Sequence, residues 1–540
     1  MLTKEQKRKY RSDLFRHLDG IVAAPTAYCL DKKGVTGYIL EKKEIETGEL
    51  SKHFNANEGY LNVALHLLSS QGWLNYRPDI KNDKIYYSVN KNTAIAFGHF
   101  HLYKDVVELM KFSENFPKRK FHKEPFGRLN YIFQKYRKNF NLQFSGDISI
   151  EKIQRQILKH IEGMLIGPSI VALGMGGMFH KYFMEASFMP DEFHEDAESF
   201  GKLLDFFAFL GWFDKKRETF RFTDKGIFYA KRASAYGVTV SYIPTFRKLD
   251  ELIFGNPKIL WDVPEGSPEL HVDREMNVWG SGGAHSTYFK KIDEVIISLF
   301  NRPLHEQPKG VVDMGCGNGA FLQHIYEVIE QRTQRGKVLD EYPLFLVGAD
   351  YNKAALRVTR RNLIKADIWA KVIRGDIGRP DLLASDLRED YGIELNDLLN
   401  VRTFLDHNRI WEEPDMSHAN RTGSTTGAFA FRGRRLSSAK VEENLAIHLR
   451  RWAPYVSKFG LLVIELHTIP PALIAQNPGR TAATAYNATH GFSDQYIVEL
   501  DVFLKIAKEA GLYPDERFSN KFPPSELATV SVNLLKGQGG

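Results

Sequence analysis

The chain has 540 residues, which is too many for one ordinary hydrophobic core, so several domains are expected. Its 43% hydrophobic, 26% charged and 12% aromatic residues are typical of a folded globular protein and exclude a disordered chain. The net charge of +7 is mild for this length.

The cysteine content indicates a reducing compartment. Only Cys29 and Cys316 occur, so no disulfide framework is implied. The first residues, MLTKEQKRKYRSDLF, lack an apolar targeting region, and no stretch of about 18 apolar residues is evident. We therefore expect a cytoplasmic protein without membrane spans. The basic run PKRKFHK at 117–123 is interpreted as a solvated face, the alternative being a docking patch for an acidic partner.

Two segments of the N-terminal half, 49–90 and 192–226, share one pattern. Each has an amphipathic helix, then Gly-Trp, then two short alternating strands around a charged turn. Gly72 and Gly211 are expected to close the helices, and Trp73 and Trp212 to pack under the hairpins. The pattern resembles a winged helix in tandem, which places one such domain in 1–150 and a second in 151–250.

Winged helices commonly bind DNA, but the second helix argues against that role here. The segment DAESFGKLLDFFAFLG carries acidic residues and phenylalanines and few cations to neutralise phosphates. It is typical of a packing helix. The arrangement resembles the winged-helix domains that precede the catalytic domain of many small-molecule methyltransferases, where they support dimerisation and cover the active site.

A connector at 251–300 leads into the C-terminal domain, predicted at 301–540. Its residues 277–285 are rich in glycine and serine and precede an amphipathic helix predicted at 286–300. A loop in this place, including Ser281, could line a cofactor pocket, and a plain linker is the alternative.

The strongest motif is KGVVDMGCGNGAFLQHIYEVI, which starts at Lys309. A short apolar strand ends at Asp313, a tight turn follows with Gly315, Cys316, Gly317 and Gly319, and a helix begins at Ala320. Glycines allow a sharp turn and a close approach of the ligand. The spacing D-x-G-x-G-x-G resembles motif I of S-adenosylmethionine (SAM)-dependent methyltransferases more than a dinucleotide fingerprint, and implies SAM as the cofactor.

Two more strand ends support this interpretation. LFLVGAD ends at Asp350, followed by Tyr351, where a carboxylate can accept hydrogen bonds from both ribose hydroxyls. KVIRGDI places Asp376 and Ile377 where the adenine would lie. Each aspartate could instead cap a helix. Together they predict an α/β fold, a Rossmann-like class I methyltransferase sheet preceded by a mostly helical region with tandem winged-helix-like units.

Polar side chains follow the next two strands, in NDLLNVRTFLDHNRIW and FGLLVIELHTIP. Because ligands bind at the carboxyl ends of strands in such sheets, Asp406, His407 and His467 are expected near the transferred methyl group. A later segment, ATHGFSDQYIVELD, brings His490 and Gln495 to the same rim in a loop and first helical turn. Three interpretations stay open: a mononuclear iron or manganese site, a histidine general base, or ordinary polar residues.

The combination of MNVWGSGGAHSTYF, the glycine turn, LDHNRIW, ELHTI and THGFSDQ resembles the metal-dependent C-methyltransferase domains of polyketide loading modules of the apratoxin type. The resemblance covers the catalytic half and the winged region. It implies catalytic and metal-binding roles for His407 and His467, with Asp406 and Gln495 as further metal ligands.

The resemblance implies C-methylation of an acidic carbon in a malonyl-like or keto-acid substrate, with the metal as a Lewis acid. The substrate would be either a small molecule or an acyl group bound to an acyl carrier protein. Arg432, Arg434 and Arg435 could hold a substrate carboxylate, although a solvated loop is the other interpretation. The alternatives are a metal-independent O- or N-methyltransferase with a histidine base and a SAM-sensing DNA-binding regulator. A homodimer is a further expectation.

Overall fold

The computed structural model describes residues 2–115, 123–144, 146–264, 267, 269–417 and 421–537. The basic run at 117–123 lies outside these ranges except for the backbone of Lys123.

The helices of the first 300 residues are α1 (Lys4–Lys32), α2 (Val35–Lys42), α3 (Thr47–Phe54), α4 (Glu58–Ser70), α5 (Thr93–Gly98), α6 (Lys104–Leu109), α7 (Lys123–Arg137), α8 (Ile148–Met175), α9 (Met178–Tyr182), α10 (Ala197–Phe209), α11 (Asp224–Ala230), α12 (Ser234–Ser241), α13 (Ile243–Phe246), α14 (Leu249–Phe254) and α15 (Arg274–Phe300). The later helices are α16 (Ala320–Arg332), α17 (Lys353–Lys365), α18 (Pro380–Tyr391), α19 (Ser438–Val456), α20 (Pro471–Gln476), α21 (Ala483–Gly491) and α22 (Leu500–Glu509). The strands are β1 (Glu44–Glu46), β2 (Asn75–Asp79), β3 (Lys84–Ser88), β4 (Phe213–Lys216), β5 (Thr219–Phe222), β6 (Gly310–Met314), β7 (Phe345–Asp350), β8 (Lys371–Arg374), β9 (Leu398–Thr403), β10 (Phe429–Phe431), β11 (Arg434–Leu436), β12 (Leu461–Leu466), β13 (Tyr513–Pro514), β14 (Asn520–Phe522) and β15 (Val530–Lys536).

The chain forms two compact units that are not continuous in sequence. The first comprises Met1–His285, Ala430–Arg435 and Pro470–Ser493, and the second Ser286–Phe429, Leu436–Ile469 and Asp494–Gly540. Two segments from the C-terminal half therefore fold with the N-terminal half. These units do not coincide with the four sequence segments 1–150, 151–250, 251–300 and 301–540, and that division stays a prediction.

Two long helices, α1 and α8, pack against each other in the first unit, and glycines bring them close. A Cβ on Gly20 would lie 2.3 Å from the His160 Cα atom, and one on Gly163 would lie 2.3 Å from the His17 carbonyl oxygen. Only glycine permits this approach of the two backbones. At the same crossing the Glu162 carboxylate contacts the His17 ring, with 3.1 Å between Oε1 and Nε2.

By length and composition, α8 could cross a membrane, contrary to the expectation that no such segment exists. However, 83% of its apolar window is buried inside the protein. The core helix of a folded domain passes the same test, because its hydrophobic surface is covered by protein instead of lipid.

Both predicted helix-Gly-Trp-hairpin segments are present. Gly72 and Gly211 have φ of +78° and follow the ends of α4 and α10. The next N–H groups, from Trp73 and Trp212, donate back into the last helical turn at 3.0 and 2.9 Å, which closes each helix as predicted. Both indoles are buried. The hairpins β2-β3 and β4-β5 follow, with β1 added to the first.

One local prediction is wrong: residues 277–285 do not form a loop. They are part of α15, which starts at Arg274 after Asp273, whose side chain accepts from the Met276 N–H at 3.0 Å. The glycines serve packing instead. A Cβ on Gly280 would lie 2.5 Å from the Val238 backbone nitrogen, so small residues are needed where α15 passes α12.

The second unit contains a sheet of order β13-β15-β12-β9-β6-β7-β8, with β14 also paired to β15. β8, β7, β6, β9 and β12 are parallel, whereas β15 is antiparallel to β12. β6 and β12 are buried along their whole length, as expected for strands covered by helices on both faces. The predicted Rossmann-like α/β class is confirmed.

The strand order reverses between β6 and β9. The chain runs outward through β7 and β8 and then returns to place β9 on the other side of β6. The carboxyl ends of β6 and β9 therefore border the crevice in which ligands bind in doubly wound sheets.

Candidate functional site

The glycine motif forms a tight turn at the end of β6. Gly315 donates its N–H to the Ala349 carbonyl at 2.7 Å, and Gly317 donates to Asp350 Oδ2 at 3.0 Å. Gly319 has φ of +80° and immediately precedes α16. The turn is thus an open backbone loop that connects β6 to α16 and is anchored to the end of β7. This arrangement suits a nucleotide-like ligand.

Gly315 shows why this position needs a glycine. Its φ is +79°, a conformation that side-chain-bearing residues rarely adopt, and an added Cβ would lie 2.9 Å from Leu405 Cδ2. Leu405 belongs to the segment after β9. The turn after β6 and the tip of β9 therefore meet within the second unit, as the sheet topology requires.

Asp313 is the fourth residue of β6 and is buried. Burial, and secondarily the charge of Asp350, raise the pKa of the Asp313 carboxyl from 3.8 to about 8. Without a nearby cation, a carboxyl group with this pKa is mostly protonated at pH 7. A cationic ligand beside it would favour the ionised form. Cys316, next to it in the turn, has its thiol pKa raised to about 12, mainly by burial, and is therefore a packing residue and not a nucleophile.

The other predicted cofactor residues also lie at strand ends of the second unit. Asp350 ends β7, and its Oδ1 accepts from the Asn352 N–H at 2.8 Å. Tyr351 is 56% exposed, with the Arg374 guanidinium 5.0 Å from its ring centroid. Asp376 is half-buried and accepts from the Gly378 N–H at 2.8 Å.

Ile377 is buried beside Asp376, and its carbonyl accepts from Trp452 Nε1 at 2.7 Å. Ser281 is the remaining predicted cofactor residue. It lies in α15 within the first unit, where its hydroxyl donates to the Val278 carbonyl at 3.2 Å. The loop predicted around Ser281 is wrong, because these residues are helical, and its contact with the cofactor stays a prediction.

The tip of β9 carries a buried charge network. Phe404 has φ of +53°, a strained value for a residue with a side chain. Asp406 is buried, and its carboxylate accepts from Arg402 Nε at 2.9 Å and contacts His448 Nε2 at 3.0 Å. The positive charge of Arg402 and the His448 contact outweigh burial and lower the Asp406 pKa to about 2.

His407 forms the closest contact between titratable side chains at these strand ends. Its Nδ1 lies 2.5 Å from Oε1 of Glu465, the penultimate residue of β12. The second carboxylate oxygen accepts from the backbone N–H of Asp406 at 2.8 Å and of His407 at 3.3 Å. These contacts fix the carboxylate. A neutral imidazole that donates its Nδ1–H to Glu465 has its acceptor lone pair on Nε2.

His467 is fully buried and holds both ring nitrogens inside the fold. Nδ1 lies 3.2 Å from the Val498 carbonyl and Nε2 lies 2.7 Å from the Ser531 hydroxyl. Burial lowers its pKa to about 4, so the ring is neutral. Neither nitrogen is available to a substrate or a metal in this arrangement.

The four predicted metal ligands do not fit a shared metal ion. The Asp406 carboxylate is engaged by Arg402 and His448, both His467 nitrogens have protein partners, and His407 Nδ1 contacts Glu465. Gln495 is buried, and the following N–H, from Tyr496, donates to the His407 carbonyl at 2.8 Å. Across the ranges that the structure describes, no three His, Cys, Asp or Glu side chains are arranged to hold a metal.

Two further sequence-based candidates have other surroundings. His490 lies in α21 of the first unit, where Nδ1 is 2.6 Å from the Tyr486 carbonyl, and not in a loop. Arg435 forms ion pairs with Glu58 and Asp83 of the first unit, at 2.7 and 2.9 Å. It is therefore a structural contact between segments of that unit.

A polar cleft with a volume of about 140 Å³ opens beside Asp376 in the second unit. His448, Arg409 and Glu412 are among the residues that line it. The cleft thus joins the predicted adenine position to the buried charge network behind the β9 tip.

Three family models match the chain in succession. Residues 10–76 match the AprA N-terminal domain, residues 162–256 the AprA winged helix domain, and residues 269–533 the AprA MT2-like domain. Together with the sheet order and the glycine turn, these matches define a class I SAM-dependent methyltransferase. More particularly, the three AprA-type domains match in order along the chain, with the methyltransferase domain at residues 269–533.

The chain is also similar to solved structures at low identity. PigF with SAH is 12% identical, with 71% of this chain and 99% of that chain covered and a TM-score of 0.41. The mitomycin 7-O-methyltransferase MmcR is 12% identical, with 72% and 98% covered and a TM-score of 0.43. The CurJ carbon methyltransferase is 12% identical, with 82% and 99% covered and a TM-score of 0.31. None of the curated proteins compared matches the chain by sequence.

Sequence reasoning missed Glu465, the partner of His407. The signal was present, because a carboxylate in the otherwise apolar strand LLVIEL needs a buried partner. Arg402, in the strand LLNVRT, carries the same kind of signal and pairs with Asp406.

Proposed function

We propose that the protein transfers the methyl group of SAM to an acidic carbon of a malonyl-like or keto-acid acceptor, with His407 as the general base. The observation that carries this proposal is the 2.5 Å contact between His407 Nδ1 and Glu465 Oε1 at the strand tips. The match to the AprA MT2-like domain supports an acceptor of the polyketide type.

The cofactor position follows from the residues that border the crevice. The turn at Gly315 and Gly317 would face the methionine part of SAM, with the Asp313 carboxylate towards its cationic groups. Asp350 would accept hydrogen bonds from the ribose hydroxyls, and Asp376 from the adenine amino group. Tyr351 and Ile377, next to these carboxylates in sequence, would flank the adenosine.

The proposed chemistry needs one proton acceptor. His407 Nε2 takes the proton from the carbon between two carbonyl groups, and Glu465 stabilises the imidazolium that results. When bound, SAM supplies an electrophilic methyl group on its sulfonium. The new carbon-carbon bond forms as the carbon-sulfur bond breaks, so that SAH leaves and His407 returns its proton to solvent.

Metal assistance, the sequence-based expectation with iron or manganese, is not part of this proposal. A Lewis acid would need oxygen or nitrogen donors that face the acceptor, whereas Asp406 and His467 are committed to protein partners.

A DNA-binding regulator is disfavoured by α4, the helix of the first winged-helix-like segment. Every residue of α4 from Gly59 to Ser70 is buried, so the helix that would enter a DNA groove has no exposed face.

The acceptor is tested with methyl-labelled SAM and small thioesters of malonate, methylmalonate and an α-keto acid. We expect label on the acceptor carbon, undiminished after exhaustive chelation, and a loss of about 10²- to 10⁴-fold in kcat for His407→Ala. Label on oxygen or nitrogen would favour an O- or N-methyltransferase with the same base. Stoichiometric iron or manganese that restores a chelated enzyme would contradict the metal-independent route.

A further inference from the structure

One short segment of the second unit is strongly basic. Residues 351–375 contain seven lysines and arginines and one aspartate, a charge of +6. This segment comprises α17 and β8, the edge strand of the methyltransferase sheet. All seven cations are exposed: Lys353, Arg357, Arg360, Arg361, Lys365, Lys371 and Arg374.

These seven cations have no carboxylate partners within the described part of the chain. Their contacts are with other groups: Arg360 Nη2 donates to the Val372 carbonyl at 2.6 Å, and Lys371 lies over the Tyr391 ring. Exposed arginines elsewhere in this unit are paired, as Arg379 is with Asp381 and Arg388 with Glu394. The surface of α17 and β8 therefore keeps its positive potential.

Two large apolar side chains lie within this basic segment. Trp369 is 88% exposed and Ile364 is 77% exposed, whereas the next residue before Trp369, Ile368, is buried. α17 buries Leu356 and Leu363 on its other face, so the sheet does not need Ile364 for packing. Exposed tryptophan is uncommon on a protein surface, and aromatic residues with arginines are enriched where protein partners bind.

We propose that this surface, α17 and β8 with Trp369 and Ile364, docks an acidic carrier domain that presents the acceptor as a thioester. Charge complementarity selects an acidic partner, and the indole and isoleucine supply the apolar centre of an interface with a charged rim. The place is suitable because β8 runs towards Asp376, so a partner on this edge lies beside the strand ends. Only the nature of the cargo rests on the proposed function.

A nucleic acid is the less fitting occupant. The surface consists of one helix and a strand edge, and within it only Trp369 offers an exposed ring that is not already covered by a cation, since Arg374 lies over Tyr351. Single-strand binding uses a groove with successive stacking rings.

The docking surface is tested with the full-length protein and an acidic holo-carrier protein loaded with malonate. We expect the double variant Arg357→Glu/Arg361→Glu and the variant Trp369→Ser each to weaken the carrier Kd by about tenfold or more, measured by calorimetry. Lys505→Glu, an exposed unpaired lysine on α22 of the same unit, is the matched control and should change Kd less than twofold. Raising the salt concentration should weaken the wild-type complex.

Kinetics separate docking from catalysis. With the carrier-bound acceptor, KM should rise about tenfold in the surface variants with kcat unchanged, and with a small malonyl thioester both constants should stay at the wild-type values. A carrier Kd unaffected by the three substitutions overturns the proposal. So does a surface that binds a 20-nucleotide RNA or phosphatidylserine vesicles in place of the carrier. If the small thioester is not methylated but the carrier Kd responds as expected, the proposed function fails and the docking surface stands.

Discussion

Binding of SAM should release a proton from Asp313. The pKa of this buried carboxyl is about 8 in the cofactor-free protein, so at pH 7 it is about nine-tenths protonated. The cationic groups of SAM favour the ionised form, and about 0.9 proton should leave for each SAM bound at pH 7. Below pH 8 the affinity should fall by a factor that approaches tenfold for each pH unit, which makes SAM binding about 50-fold weaker at pH 6 than at pH 8.

Calorimetry in two buffers of different ionisation enthalpy measures this release directly. Asp313→Asn should abolish the release and the pH dependence, whereas Asp376→Asn, which leaves Asp313 in place, should keep both. A wild-type Kd that does not change between pH 6 and 8, with no proton released, would refute the assignment of Asp313 to the cationic part of the cofactor.

The same carboxyl should affect the stability of the cofactor-free protein. Its pKa in the folded state is above the ordinary value of 3.8, so the folded state binds the proton more tightly than the unfolded state. The stabilisation is fully present below about pH 4 and is lost as the pH rises towards 8.

Further outcomes follow from the geometry. Gly315→Ala should lower the free energy of unfolding by about 1–3 kcal/mol in a denaturant titration, because it adds backbone strain and a clash with Leu405. Gly392→Ala, at a φ of +65° with open space around it, should lower this free energy less. Equal losses in the two variants would contradict the clash. Glu465→Gln should lower kcat about 10- to 1000-fold with KM for SAM unchanged, and a wild-type kcat would exclude the positioning role. His467→Ala should lower the melting temperature without changing the metal content, and loss of a bound metal from this variant would restore the sequence-based metal site.

The fold was largely predictable because its signals are local. The alternation around Gly72 and Gly211 and the glycine turn after β6 depend on backbone geometry that few residues allow, and both are present. Residues 277–285 were mispredicted because glycine also permits close helix packing. Gly280 allows α15 to pack closely against α12, and no local sequence pattern indicates this long-range contact.

From the sequence, the site could be predicted only as a set of polar residues at the ends of strands. The sheet topology brings Asp406 and His407 to the crevice, but their roles depend on the charged side chains that contact them. Arg402 and His448 occupy Asp406, and Glu465 orients His407, through contacts between residues as far apart as 58 positions. His467 follows β12 in the same way, yet the hydroxyl of Ser531 and the Val498 carbonyl turn it into a packing residue.

The most direct test of His407 as the base is hydrogen exchange at the acceptor carbon in D₂O, with SAH in place of SAM so that no methyl can be transferred. We expect the wild-type protein to exchange the acidic hydrogen of a malonyl thioester faster than the uncatalysed rate, and His407→Ala to lose this exchange. Exchange that persists in His407→Ala, or that is absent from a wild-type protein able to methylate the same acceptor, would contradict the account.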